Sequence, residues 1–324
     1  MKLAFATAAV ALLPLAVEQP PLERYEFSRA AMGSEFRLLF YTTDAQRAET
    51  AASAAFARIA SIESVLSDYR SDSEASRLAG TAGTGNAVPV SADLWLVLSR
   101  AQQVARATGG AFDVTVGPLT LLWRRAWRRG QLPAEDRLGP AREAVGFEYV
   151  RMEEAGRTVG LIRPGMRLDF GGIGKGYAID AALRTLAEHG IERALVEGGG
   201  DLAVGAPPPG EDGWAVRLNV ASPGGDAVVE IRSLARAGVA SSGDAYRFVE
   251  IDGLRHSHII DPRTGVSLTE PRQVTVVAAD ATMADALASA VSVLGRDGRS
   301  LEREFAEVEI HVIETRRRTV RNAP

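Results

Sequence analysis

An α+β fold, with mixed sheets and packed helices, is predicted from three features of the chain. Helical and strand-like segments alternate irregularly, without the regular βαβ repeat of a doubly wound sheet. Many of the β runs come as hairpin-like pairs. The third is size and composition: 324 residues, 46% hydrophobic and 24% charged, are enough to bury a large core.

Taken in order, Met1 to Val17 reads as a secretory signal, with Lys2 ahead of an apolar run from Leu3 to Leu13. The run is short for a spanning helix, which needs about 20 apolar residues. Pro14-Leu15-Ala16-Val17 makes a poor cleavage site, so an uncleaved anchor is the other outcome. Residues 18–24, with Pro20 and Pro21, are expected to be a linker, and residues 25–324 a single domain. Tyr25 to Tyr41 predicts two strands broken at Met32-Gly33-Ser34. Asp44 is placed to cap a helix to about Leu66, with Ala48, Ala51, Ala52, Ala55, Phe56 and Ile59 inward. Ser71 to Ser76 predicts a loop leading into a short helix. Ser91 caps a helix running to Thr108, stopped by Gly109. Ala111 to Pro118 is expected to be extended and then to turn. Trp123 to Arg129 reads as a solvated basic helix face with two docked tryptophans, or as a contact for acidic partners or lipid headgroups.

Strands near Tyr149–Met152 and Thr158–Ile162 lead to Arg167–Asp180, RLDFGGIGKGYAID. From Tyr177 the chain reads as a helix to Gly190. A strand at Ala194–Val196 ends in Gly198-Gly199-Gly200-Asp201. Further β runs are expected at Trp214–Val220, Ala227–Ile231 and Gln273–Ala279, with a helix over Thr282–Leu294 and a last strand at Val308–Ile313.

Composition removes several chemistries. The formal net charge of −4 gives no basic footprint for nucleic acid. The absence of cysteine excludes disulfides, thiolate metal sites, a catalytic thiol and a lipidated N-terminal cysteine. Ser241, Ser242 and Asp244 lack the GxSxG elbow of a serine hydrolase.

The strand, glycine turn and helix start at Asp169–Tyr177 suit an anion, because unpaired amides at a helix N-terminus point at a ligand and the dipole favours negative charge. Lys175 would add a point charge, and Asp169 would accept from a ligand N–H or anchor the turn. The spacing fits neither GxGxxG nor a P-loop, so a tight turn with a surface lysine stands beside the phosphate reading. On the late helix, Asp285 and Ser289 share a face. With a carbonyl of the Gly171-Gly172 turn they would suit Mg²⁺, a hard ion that takes oxygen ligands; alternatively Asp285 favours the helix dipole and Ser289 is a packing residue. His258 is either a half-buried structural histidine or a base.

Met32-Gly33, Ser67-Asp68-Tyr69, Thr108–Pro118 (TGGAFDVTVGP), Leu168–Asp180 (LDFGGIGKGYAID), GGGD at Gly198–Asp201, Ser242-Gly243-Asp244, Ser257–Gly265 (SHIIDPRTG) and Ala284–Ala290 (ADALASA) together form a longer signature. From about Met32 to Gly295 the chain resembles the FAD:protein FMN transferase family, the ApbE-type flavin transferases. The resemblance implies that family's fold and a Mg²⁺-dependent transfer of FMN from FAD to a Thr or Ser of an exported redox protein, releasing AMP. It places Met32, Tyr69, Ala111, Phe112, Asp113, Asp169, Lys175 and Ile259 at FAD, and Gly172 (through its carbonyl), Asp285 and Ser289 at the metal. Ser289 stands where threonine is common, and Glu197-Gly198 where Asn-Ala is frequent. With the signal reading, the location expected is the periplasm, with inner-membrane association if the N-terminus stays uncleaved. Of the four histidines, His258 begins the run placed at the flavin and is the candidate base. Rival functions are an FAD diphosphatase and a non-catalytic flavin carrier.

Overall fold

The computed structural model describes residues 21–222, 227–243 and 248–314. The expected signal at Met1–Val17 lies outside the described residues, as do residues 18–20 of the expected linker and Asp244.

The first strands, β1 (Glu23–Ala31) and β2 (Ser34–Thr42), pair as an antiparallel hairpin, so Glu23 and Arg24 belong to a strand and not to the expected linker. Its two-residue turn puts Met32 at φ 51° and Gly33 at φ 71°. Positive φ at both positions matches the twist of the flanking strands. The first helix, α1 (Ala45–Leu66), is capped as expected, the Asp44 carboxylate accepting from the Arg47 amide at 2.8 Å. Ser73 caps α2 (Glu74–Ala79); β3 (Val88–Pro89) and the Ser91-capped α3 (Ala92–Ala107) follow.

The segment after α3 corrects the expectation of an extended run. Only an isolated bridge joins Val116 to Arg167, and Gly117-Pro118 already open α4 (Gly117–Arg129). Proline suits that first turn because the missing N–H would have no helical partner there. A helix not expected from the sequence, α5 (Glu135–Glu143), carries Pro140. Next come β4 (Val150–Glu153), β5 (Thr158–Leu161) and α6 (Gly174–Glu188). Strands β6 (Ala194–Gly198), β7 (Asp201–Val204), β8 (Trp214–Ala221), β9 (Ala227–Leu234) and β10 (Ala237–Gly243) follow. Short strands β11 (Phe248–Ile251), β12 (Leu254–Ser257), β13 (Ile260–Asp261) and β14 (Val266–Ser267) form two hairpins. The chain ends its described part with β15 (Arg272–Ala278), α7 (Ala281–Leu294), a 3₁₀ segment at Gly295–Arg303 and β16 (Glu309–Glu314).

A seven-stranded sheet runs β1-β2-β6-β7-β10-β15-β16, and each adjacent pair is antiparallel. Alternate residues of its strands serve two cores, because successive side chains point to opposite faces. Ala194 and Val196 of β6 join the main core with α1, α6 and α7, while Leu195 between them joins Trp214, Val216 and Leu218 of the β8–β9 hairpin. A third cluster, Leu119, Trp123, Ala126, Leu138 and Ile260, fastens α4 and α5 to the β13 segment. The sheet thus carries the β1–β2 turn, the β6–β7 turn and the α6–α7 pair, while α4 brings up the rim.

Candidate active site

The glycine turn Gly171–Gly174 is built around close approaches that side chains would block. A Cβ at Gly172 would lie 2.6 Å from the Ser289 hydroxyl and 3.3 Å from the Phe112 ring. Three predicted positions from distant parts of the chain therefore meet at one point. A Cβ at Gly174 would sit 3.8 Å from the Met32 Cε, so the left-handed Met32 turn reaches the same place. At Gly176 the approach is closest: a Cβ would lie 2.2 Å from the Ala281 carbonyl, which fixes α6 against the start of α7.

The two helices cap one another. Asp180 of α6 accepts the Ala281 amide at 3.0 Å and the Thr282 amide at 2.8 Å. In return Asp285 of α7 accepts the Gly176 amide at 3.1 Å. Such carboxylates satisfy amides that the first helical turn leaves without partners. This corrects the expected open amide nest, since Gly174 N–H is also taken, by the Phe170 carbonyl at 2.7 Å. The helix begins at Gly174, ahead of the Tyr177 start expected from sequence.

Lys175 likewise stands in company. Its ammonium pairs with Asp201 and lies 3.9 Å from Asp285. Asp201 is buried at the start of β7 and accepts the Ser241 amide at 3.1 Å through its other oxygen. Burial pushes the Asp285 carboxyl up to about 7, against the pull of Lys175. Burial raises Asp201 as well, again opposed by Lys175. One cation between two carboxylates leaves no surplus positive charge for an anion. A diphosphate at this place needs a further cation.

At the rim, Asp169 does anchor the turn: its Oδ1 accepts the Gly171 amide at 2.8 Å, and its Oδ2 takes Arg124 at 3.1 Å. Arg124 also pairs with Asp68 and lies under the Tyr69 ring, 4.3 Å from its centroid. Burial, then the neighbouring Asp169 charge, raises the Asp68 carboxyl against the pull of Arg124. Asp113 turns inward: its Oδ1 accepts from the Thr115 amide at 2.8 Å and hydroxyl at 2.7 Å, and burial lifts its carboxyl to about 6. Ala111 and Phe112 beside it are buried.

His258 and Ile259 occupy the bend between β12 and β13, both half-buried. Ile259 is tied to its own hairpin, donating to the Ser257 hydroxyl at 3.0 Å and accepting from Leu268 at 2.9 Å. Its segment docks on α4 through Trp123, whose indole N–H reaches the Gly265 carbonyl at 2.9 Å. His256 does not share its neighbour's setting. It is buried against Trp123, ring centroids 5.3 Å apart, and burial lowers its pKa.

Sequence reasoning missed the cations' partners. Asp201 was legible only as the end of GGGD, and Asp68 only as the residue before Tyr69. Arg124 carried no signal beyond a basic helix face. Among the described residues no three His, Asp or Glu side chains gather as a metal cluster.

Solved structures of the same fold include flavin transferases. The Flavin Transferase ApbE from Vibrio cholerae matches with a TM-score of 0.79 at 27% identity, over 91% of this chain and 97% of that one. The ApbE protein of Thermotoga maritima matches at 0.78 and 29%, over 90% and 94%. The chain belongs to the ApbE family, whose family model matches residues 32–312. Among curated relatives, the FAD:protein FMN transferase of Treponema pallidum (strain Nichols) is 33% identical over 302 residues, 88% of this chain and 83% of the relative. That of Vibrio cholerae serotype O1 is 30% identical over 312 residues, 94% and 92%.

Proposed function

We propose that this chain is an exported, Mg²⁺-dependent FAD:protein FMN transferase that joins FMN to a Thr or Ser hydroxyl of an exported redox protein and releases AMP. The observation that carries the reading is the convergence of Gly172, Ser289 and Phe112 beside the Lys175–Asp201–Asp285 cluster, in a chain of this family. FAD would be bound by Met32, Tyr69, Ala111, Phe112, Asp113, Asp169, Lys175 and Ile259.

The donor set fits Mg²⁺. Asp285, the Ser289 hydroxyl and the Gly172 backbone are all oxygen donors, and the Gly172–Ser289 approach leaves no room for a side chain between them. When bound, Mg²⁺ neutralises charge on the diphosphate and polarises its oxygens. Lys175, fixed by Asp201, keeps its ammonium beside the turn, where it orients a phosphate. The acceptor oxygen forms its bond to the FMN phosphorus as the bond from that phosphorus to the AMP oxygen breaks, and AMP leaves with the electron pair. A ring nitrogen of His258 takes the acceptor's proton.

Incubation with FAD and Mg²⁺, with and without a candidate acceptor, tests this through AMP release and protein-bound flavin. AMP and bound flavin that both require the acceptor are expected. AMP without acceptor would identify a diphosphatase, and no AMP under any condition a carrier. His258→Ala is expected to keep FAD binding and slow transfer by about 10²–10⁴-fold; wild-type rates would return His258 to a structural role. Asp285→Asn is expected to abolish AMP release while circular dichroism stays native, and full activity at ordinary Mg²⁺ would remove the metal site.

The N-terminal segment supports export to the periplasm, with membrane association if it is not cleaved. Among the described residues no helix is long and apolar enough to cross a membrane. Fractionation of the expressed full chain, with mass spectrometry of its N-terminus, tests the export and distinguishes the two forms.

A further inference from the structure

Arg124 belongs to none of the motifs that mark the site, yet it joins three pieces of it. It projects from α4 next to Trp123, which is buried and bonded to Gly265, so its backbone is firmly held. One guanidinium nitrogen pairs with Asp68 and the other with Asp169 at 3.1 Å. Asp169 passes the link on to the Gly171 amide at 2.8 Å. The guanidinium plane also faces Tyr69, 4.3 Å from the ring centroid, while Tyr69 itself is 79% exposed. A ring this exposed gains little from burial, and the cation under it is one contact that orients it. Lysine is a poor substitute, because a point charge cannot bridge two carboxylates in a fork and lie flat on a ring at once.

We propose that Arg124 is a positioning residue for the dinucleotide: it clamps the Asp68-Tyr69 loop to the Asp169–Gly171 turn and holds Tyr69 as a platform on which a planar ring of FAD stacks. The inference rests on the reading that this chain binds FAD, and deepens it. Arg124 does not touch the ligand. It acts through Tyr69 and the turn, so its loss weakens binding and leaves the transfer step intact.

The test is FAD affinity by flavin fluorescence, with KM and kcat for FMN transfer, in the full chain. Arg124→Met is expected to raise Kd and KM for FAD about fivefold, with kcat within about twofold, a loss at the upper end of the range for one solvent-exposed cation–π contact. Arg124→Lys is expected to recover part of the affinity. In a Tyr69→Leu background, Arg124→Met is expected to add less than about twofold, since the platform is already gone. Hydrogen exchange without ligand gives a second readout, in which Arg124→Met loosens residues 67–73 and 169–172 together. Unchanged affinity, an undiminished loss in the Tyr69→Leu background, or a fall in kcat at constant KM would each overturn the proposal. A wild-type chain that binds no FAD would overturn the flavin reading itself. The exchange measurement then still decides the clamp, which falls if the two segments are not loosened together.

Discussion

Two clusters flank the same glycine turn, and each places one cation between two carboxylates. Lys175 lies between Asp201 and Asp285, whose side chains are 2% and 7% exposed. Arg124, as exposed as Lys175 at 24%, lies between Asp68 and Asp169, which are 20% and 9% exposed. The inner cluster uses a point charge, and its two carboxylates are buried on α7 and β7. The outer one uses a planar fork and borders solvent. Removing one member of a buried set strands a charge in a low dielectric, whereas water screens and solvates what is left at a rim. Similar inventories therefore serve different ends, one fixing charge and the other fixing geometry.

The sharpest way to break that comparison is to delete each cation. Lys175→Met is expected to destabilise the fold by about 3–5 kcal/mol, because Asp201 is left buried and unpaired. Arg124→Met is expected to change stability by about 1 kcal/mol. Urea denaturation of both variants checks this, and equal losses would erase the distinction between the clusters.

A smaller effect tests burial on the inner side through Asp180, lifted from 3.8 to about 6 by burial. A carboxyl with a raised folded pKa binds more protons folded than unfolded in that window. Its contribution is favourable below about pH 4 and lost as pH rises through about 6, a change of about 3 kcal/mol at most. Relative to Asp180→Asn, the wild type is expected to lose ground steadily between those pH values. A pH-independent difference would show that the Ala281 and Thr282 amides offset the burial.

The turn that the two clusters share is tested by Gly172→Ala, whose Cβ would meet the Ser289 hydroxyl at 2.6 Å. Overpacking of this kind costs about 1–3 kcal/mol. Activity is expected to fall far more than stability. Ser289→Ala combined with Gly172→Ala is expected to regain part of the stability without regaining activity, since the residue 289 Cβ still lies 3.0 Å from the added methyl; thermal melts and AMP release measure both.

Elements whose stability is local were legible in the sequence. The alanine stripe of α1 and its Asp44 cap, and the Leu94–Ala105 face of α3 behind Ser91, were placed within a residue or so. The glycine-rich start of α6 was not, because Gly174 and Gly176 are chosen for contacts with Met32 and Ala281 that only the folded chain supplies. For the same reason the motifs contained Lys175, Asp201 and Asp285 without showing that the lysine joins the two carboxylates. The start of α4 was obscured by Gly117-Pro118, which punctuates as a turn yet opens a helix. The sequence singles out His258, but its different setting from His256, two residues away, depends on where β12 ends, between them.

The order of strands in the large sheet has a consequence for how the molecule comes into being. Residue 32 at one end of the sequence and residue 289 near the other meet at Gly172 and Gly174, and β6 pairs with β2 across more than 150 residues. Pairings so distant in sequence close slowly, since long loops must be ordered before any contact rewards them. No N-terminal fragment that stops short of α7 contains Asp285, Ser289 or the cap that Asp285 supplies to Gly176. A chain interrupted there would hold a lysine and an aspartate without their third partner and present the α6 face of the core to water. Synthesis must therefore run nearly to its end before any of this chemistry exists, and truncation is expected to yield an insoluble product instead of a weaker enzyme.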